Sequence, residues 1–166
     1  YLYSELPAIE LFEKLGYQYY DGSITDERTD ITEVVLENRL FQAIQRINPW
    51  LNESNLQMAF DKISNVQGAS LMEINERVWE LIKGDSFAVK QVFNGKEEFR
   101  TVSFIDYQNP ANNDFLLVNQ LRIQGRWRNS IPDLLVFING LPIAVIECKS
   151  PTAACAFDKC YSDLDF

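Results

Sequence analysis

The spacing of apolar and polar positions divides the chain into a helical first part and a strand-rich second part. Leu6, Ile9, Leu11, Phe12 and Leu15 approximate one broad helical face, with Ser4 placed to cap the helix and Gly16 to end it. Val34, Val35, Leu36, Leu40, Phe41, Ile44 and Ile47 predict a second helix, capped by Asp30 or Thr32 and stopped at Asn48-Pro49. Two more amphipathic helices are predicted over 55–63 and 70–82, and Lys83-Gly84-Asp85 closes this part.

From Phe87 the period changes. Residues 87–93, 99–105, 115–123, 134–138 and 143–146 are short runs rich in β-branched and aromatic side chains, which predict strands. Asn94-Gly95 between the first two is a strong hairpin signal, and 110–114 is a polar loop. The stretch from Thr152 has no strand pattern and reads as the start of a helix. No repeat or low-complexity segment interrupts the chain. Helices followed by strands indicate an α+β (mixed α/β) class, with N-terminal helices packed on a mixed, largely antiparallel sheet. The 166 residues suit one domain, 1–166.

Composition narrows the chemistry. No histidine is present, which excludes a Ser-His-Asp or Cys-His nucleophile within this chain. The three cysteines, Cys148, Cys155 and Cys160, form no Cys-x-x-Cys pair, so reduced thiols are expected rather than a zinc site or disulfide framework. No apolar run approaches the ~20 residues of a membrane span, and the first residues lack a secretory pattern, so a cytoplasmic protein is expected. An initiator Met is also absent, so the numbering is expected to begin inside a longer product. The net charge of −9 is unusual for a free DNA-binding domain, because phosphate neutralisation supplies most affinity for DNA.

The chemistry-bearing stretch runs from Ile131 to Lys149. Asp133 stands at the mouth of one apolar strand, and Glu147-Cys148-Lys149 ends the next. Alternate strand residues share a face, so Glu147 and Lys149 point one way while Ile146 and Cys148 turn into packing. Two carboxylates from separate strands can hold Mg²⁺, a hard cation that keeps water and phosphate oxygens in its shell. A lysine beside it can orient water or stabilise charge on phosphate oxygens. Strand parity adds a condition. A regular two-residue loop at Asn139-Gly140 would set Asp133 opposite Ile146, facing away from Glu147. A working site therefore needs an irregular connection, such as a G1 bulge at Gly140 or a bend at Pro132.

The bland alternatives are plain. A Pro-Asp followed by Glu-x-Lys arises by chance, and charges at strand ends often serve solubility. Glu5 and Glu10 could add a ligand, although a solvated helical face also explains them. Arg122, Arg126 and Arg128 could touch phosphate, but loop arginines need no such role.

Several longer stretches carry a resemblance. Residues 4–12, the Ile105-Asp106-Tyr107-Gln108-Asn109-Pro110 run, residues 112–121 and the block 132–151 resemble the N-terminal region of the restriction (R) subunit of type I restriction–modification enzymes. The likeness runs through nearly the whole chain, in the family's order. It implies a restriction-endonuclease-like fold of the PD-(D/E)xK superfamily, Mg²⁺ as cofactor, and double-stranded DNA as substrate. It implies that Asp133 and Glu147 bind the metal, that Lys149 is catalytic, and that the family's first-helix acid is Glu5, less closely Glu10. Partner modification and specificity subunits would recognise the target, and ATP-driven motor domains would follow in the full subunit. No Walker A sequence occurs here, so ATP is expected to bind elsewhere. Family members continue past residue 166 with a glutamine-tyrosine motif, which implies a truncated nuclease domain. Motor and partner subunits would also deliver the DNA that an acidic chain attracts poorly. Two rival functions remain at this point: a catalytically silent docking module on the same fold, and an acidic DNA mimic, which the scattered acids fit badly.

Overall fold

A computed structural model of the chain describes residues 5–23, 27–84, 86–125 and 128–148. Among them the elements run α1 (Glu5–Lys14), β1 (Gln18–Asp21), α2 (Glu37–Ile47), α3 (Glu53–Ser64), α4 (Leu71–Lys83), β2 (Ala88–Phe93) and β3 (Lys96–Thr101). After a short 3-10 turn at Pro110–Asn112 come β4 (Phe115–Asn119), β5 (Ile123–Gln124), β6 (Asn129–Ser130), β7 (Leu134–Ile138) and β8 (Leu141–Ile146). The α+β class expected from the sequence is what forms. The contacts divide the chain into two compact units, Glu37–Asn113 and the remainder on either side of it. No helix among the described residues is long and apolar enough to cross a membrane.

The outer unit is built on a four-stranded mixed sheet in the order β1-β4-β7-β8. β1 lies parallel to β4, and the other pairs are antiparallel. One face packs Ile9 of α1 against Leu117, Leu134 and Val136, with Ile146 and Cys148 at its margin. The other face gathers Leu36, Leu116, Val118, Leu121, Ile123, Leu135 and Phe137. Helix α1 ends as its sequence predicts. Gly16 takes φ +93, the Gly16 amide donates to the Glu13 carbonyl and the Tyr17 amide to the Phe12 carbonyl, both at 3.0 Å. That is a Schellman ending, and the Phe12 and Tyr17 rings meet edge to face across it at 4.9 Å. Tyr17 then meets Phe115 at 5.2 Å, which sets the end of α1 over the start of β4.

In the inner unit, Asn52 and Ser70 cap α3 and α4 through their side-chain oxygens, and Gly84 ends α4 at φ +94. Asn94 and Gly95 both have positive φ in the tight turn between β2 and β3, as the dipeptide predicts. Buried Asn48 ties two segments together. Its amide donates to the Ile44 and Ser103 carbonyls at 3.0 and 2.8 Å, and its oxygen accepts from the Ser103 amide at 3.0 Å.

Several expectations are corrected. The second helix starts at Glu37 rather than near Asp30, because Asp30 accepts from the Thr32 amide at 2.7 Å in a local turn. Leu36 then spends its amide on the Gly140 carbonyl at 2.9 Å. The run 115–123 is cut after Asn119 by Gln120, whose φ of +47 breaks the strand. The strand expected over 99–105 stops at Thr101, although Val102, Phe104 and Ile105 stay buried. The residues from Thr152 lie outside those described.

Candidate active site

The hairpin β7–β8 determines which side chains meet. Its turn is the regular two-residue kind, with Asn139 at φ +54, Gly140 at φ +78 and Ile138 paired with Leu141. Asn139 is fully buried, and its side-chain oxygen accepts from the Asp114 amide at 2.8 Å. The irregular connection expected at the turn is therefore absent. The irregularity sits two pairs further on: Phe137 faces Pro142 while Val136 faces Ala144, leaving Ile143 as an extra residue in β8. This bulge changes the parity. Beyond it Leu135 faces Val145 and Leu134 faces Ile146, where the ladder ends; one further step in the same register would bring Asp133 opposite Glu147. The Cys148 amide donates to Asp133 Oδ2 at 2.6 Å and fixes that carboxylate at the end of the ladder. On its other side, the Asp133 carbonyl accepts from the Gln120 amide at 3.1 Å.

Asp133 and Glu147 are half-buried, and Ile146 and Cys148 turn into packing, as strand alternation predicts. Lys149 and Arg126 lie outside the described residues. Arg122 and Arg128 are exposed. The structure separates the two helix acids. Glu10 is exposed on the outer side of α1, whereas Glu5 is 93% buried, at 7% exposure. Glu5 stands one turn before Ile9, at the end of α1 nearest Asp133. Cys148 registers this convergence: burial pushes its thiol pKa up, and the charges of Asp133, Glu5 and Glu147 push it further the same way. That thiol is in no disulfide.

The charges of Asp133, Glu147 and Glu5 thus all act on Cys148, at one end of the sheet. Glu5 Oε2 is buried and has no hydrogen-bond partner. A partnerless buried carboxylate oxygen is costly, and a hard cation is one species that would satisfy it. The oxygen donors therefore fit Mg²⁺. Among the described residues, no three acidic, cysteine or histidine side chains are close enough to hold an ion alone, so water and phosphate would complete the shell. Reading the sequence had missed Asn119, whose buried side-chain oxygen also lacks a partner. The available signal was a polar residue ending the apolar run Phe115-Leu116-Leu117-Val118, in phase with the inward Leu117.

Comparison with known proteins bears on the same region. The family described as type I restriction enzyme R protein N terminus matches residues 2–164. A putative type I restriction enzyme MjaIXP endonuclease subunit of Methanocaldococcus jannaschii is 38% identical over 157 residues, covering 89% of this chain and 15% of its own length. The type I restriction enzyme HindI endonuclease subunit of Haemophilus influenzae is 30% identical over 153 residues, covering 87% and 14%. The chain thus spans about one seventh of these relatives. No solved structure matches it.

Proposed function

Because the chain belongs to the family of type I restriction enzyme R protein N termini, we propose that it carries the Mg²⁺-dependent DNA-cutting centre of a restriction subunit. The observation that supports this reading is the Ile143 bulge, which shifts the β7–β8 register by one residue and so brings Asp133 and Glu147 into phase, where a plain hairpin would part them. Asp133 and Glu147 hold the cation, with Glu5 beside them. When bound, Mg²⁺ supplies positive charge that polarises the scissile phosphate. The Cys148 amide orients the Asp133 carboxylate through Oδ2. Lys149, two residues past Glu147, steadies charge on the phosphate oxygens and orients the attacking water. The histidine-free composition agrees with this division of labour. Double-stranded DNA is the substrate, and the modification and specificity subunits are the partners that compensate for the chain's acidity. ATP would act only through the remainder of the subunit.

The test is cleavage of double-stranded DNA by the intact restriction subunit with its partners. Asp133→Ala and Glu147→Ala should each abolish cutting and spare ATP-driven translocation. Lys149→Ala should slow cutting about 100-fold or more, with Mg²⁺ affinity retained because an ammonium is no ligand. Normal cutting by either acid variant contradicts the assignment. Loss of Mg²⁺ binding with Lys149→Ala contradicts the role given to the lysine.

A further inference from the structure

In the outer unit two buried side-chain oxygens lack a hydrogen-bond partner, Glu5 Oε2 and Asn119 Oδ1. Buried acceptors in folded proteins are almost always satisfied, so an orphan calls for a water, an ion or a ligand. Asn119 ends β4 and is 4% exposed. Alternation places it on the sheet face of Leu117, opposite Leu134, and both leucines pack with Ile9. The Phe12–Tyr17–Phe115 contacts show that α1 runs back along β4. Glu5, one turn before Ile9, therefore overlies the end of β4 where Asn119 stands.

The backbone at Asn119 is clamped. Its carbonyl accepts from the Gly22 amide at 2.9 Å, and a Cβ at Gly22 would lie 2.4 Å from that oxygen, so only glycine fits there. The following amide, Gln120, holds the Asp133 carbonyl. Asn119 is thus fixed relative to Asp133 through one peptide unit. The two oxygens are both acceptors and cannot hydrogen-bond each other, whereas a species carrying protons or positive charge would satisfy both.

We propose that Asn119 is a neutral oxygen donor to the divalent cation, acting with Glu5 at the end of the sheet where Asp133 stands. This rests on the reading of Asp133 and Glu147 as cation-holding acids. An amide oxygen is an ordinary ligand of hard cations, and it adds coordination without the repulsion of a further carboxylate. The competing explanation is a buried water that donates to both oxygens.

The experiment is calorimetric titration of the chain with Mg²⁺, beside melting curves in chelator. Asn119→Leu keeps the shape and removes the oxygen. It should weaken Mg²⁺ on the order of 10- to 100-fold, while leaving the cation-free melting temperature unchanged or higher. Parent-like affinity in Asn119→Leu, with affinity lost in Asp133→Asn, overturns the role of Asn119 and leaves the site reading intact. Affinity lost in Asn119→Leu but kept in Asp133→Asn sustains Asn119 and overturns the site reading. No binding by the parent overturns both. Should Asn119→Leu fail to fold, Asn119→Asp decides: affinity raised about tenfold or more supports the proposal, and unchanged or weaker binding overturns it.

Discussion

Replacing Glu5 with leucine should stabilise the cation-free chain, although it removes a charged residue from the first turn of a helix. Glu5 Oε2 is buried without a partner, and relieving such an atom recovers about 1–3 kcal/mol. Against this, an acid in the first turn gains about 0.3–1 kcal/mol from the helix dipole. Leucine also extends the apolar face that Ile9 presents to Leu117, Leu134 and Val136. The balance is a gain of about 1–2 kcal/mol, or about 2–8 °C in melting temperature for a chain of this size. The assay is differential scanning calorimetry in EDTA, with Glu5→Gln as a shape-preserving companion that gains less. Repeating the scan in excess Mg²⁺ should narrow or reverse the order, since the parent gains from binding what the variant cannot. A fall of more than about 2 °C in EDTA would refute the reasoning, because it would mean that a donor satisfies Glu5 without any cation.

Deleting Ile143 should remove the bulge yet keep Val136 opposite Ala144 and Asp133 opposite Glu147, so Mg²⁺ affinity survives. The cost is at most about 1 kcal/mol, because the Ile143 side chain is exposed. Inserting an alanine after Ile143 should turn Glu147 from Asp133 and abolish binding, and equal binding by both variants would contradict the parity argument. Asp106 is held below the usual carboxylate range by the Asn109 amide, then the Asn112 side chain and the Gln108 amide. Folding lowers its pKa, so its stabilisation is present above the unfolded value of 3.8 and lost as pH falls through the folded one. The melting-temperature gap between the parent and Asp106→Asn should close on acidification, and a gap that stays constant to about pH 3 would count against it.

Elements stabilised by neighbouring residues were legible in the sequence. β7 matches its apolar run end to end, and α4 lies within a residue of its expected bounds, because Ser70 and Gly84 mark both ends. β1 was not legible: Gln18-Tyr19-Tyr20-Asp21 has no alternation and forms through parallel pairing with β4, almost a hundred residues away. The two-residue β6 exists only opposite β5. The acids and the parity condition were readable, but the place of the irregularity was not. Pro142 was the clue, since a proline inside a strand belongs at an edge or beside a bulge, and among the described strands β8 lies at the sheet edge. The burial that separates Glu5 from Glu10 depends on how α1 lies on the sheet, and helical periodicity alone gave no choice between them.

The most direct test of the central claim is a crystal of the chain grown with Mn²⁺ in place of Mg²⁺, with the ion located by its anomalous scattering. The account predicts a peak bridging the carboxylates of Asp133 and Glu147, with the Glu5 side chain turned toward it. Ordered carboxylates with no peak between them at saturating Mn²⁺, or a peak that persists unchanged in Asp133→Asn, would contradict it.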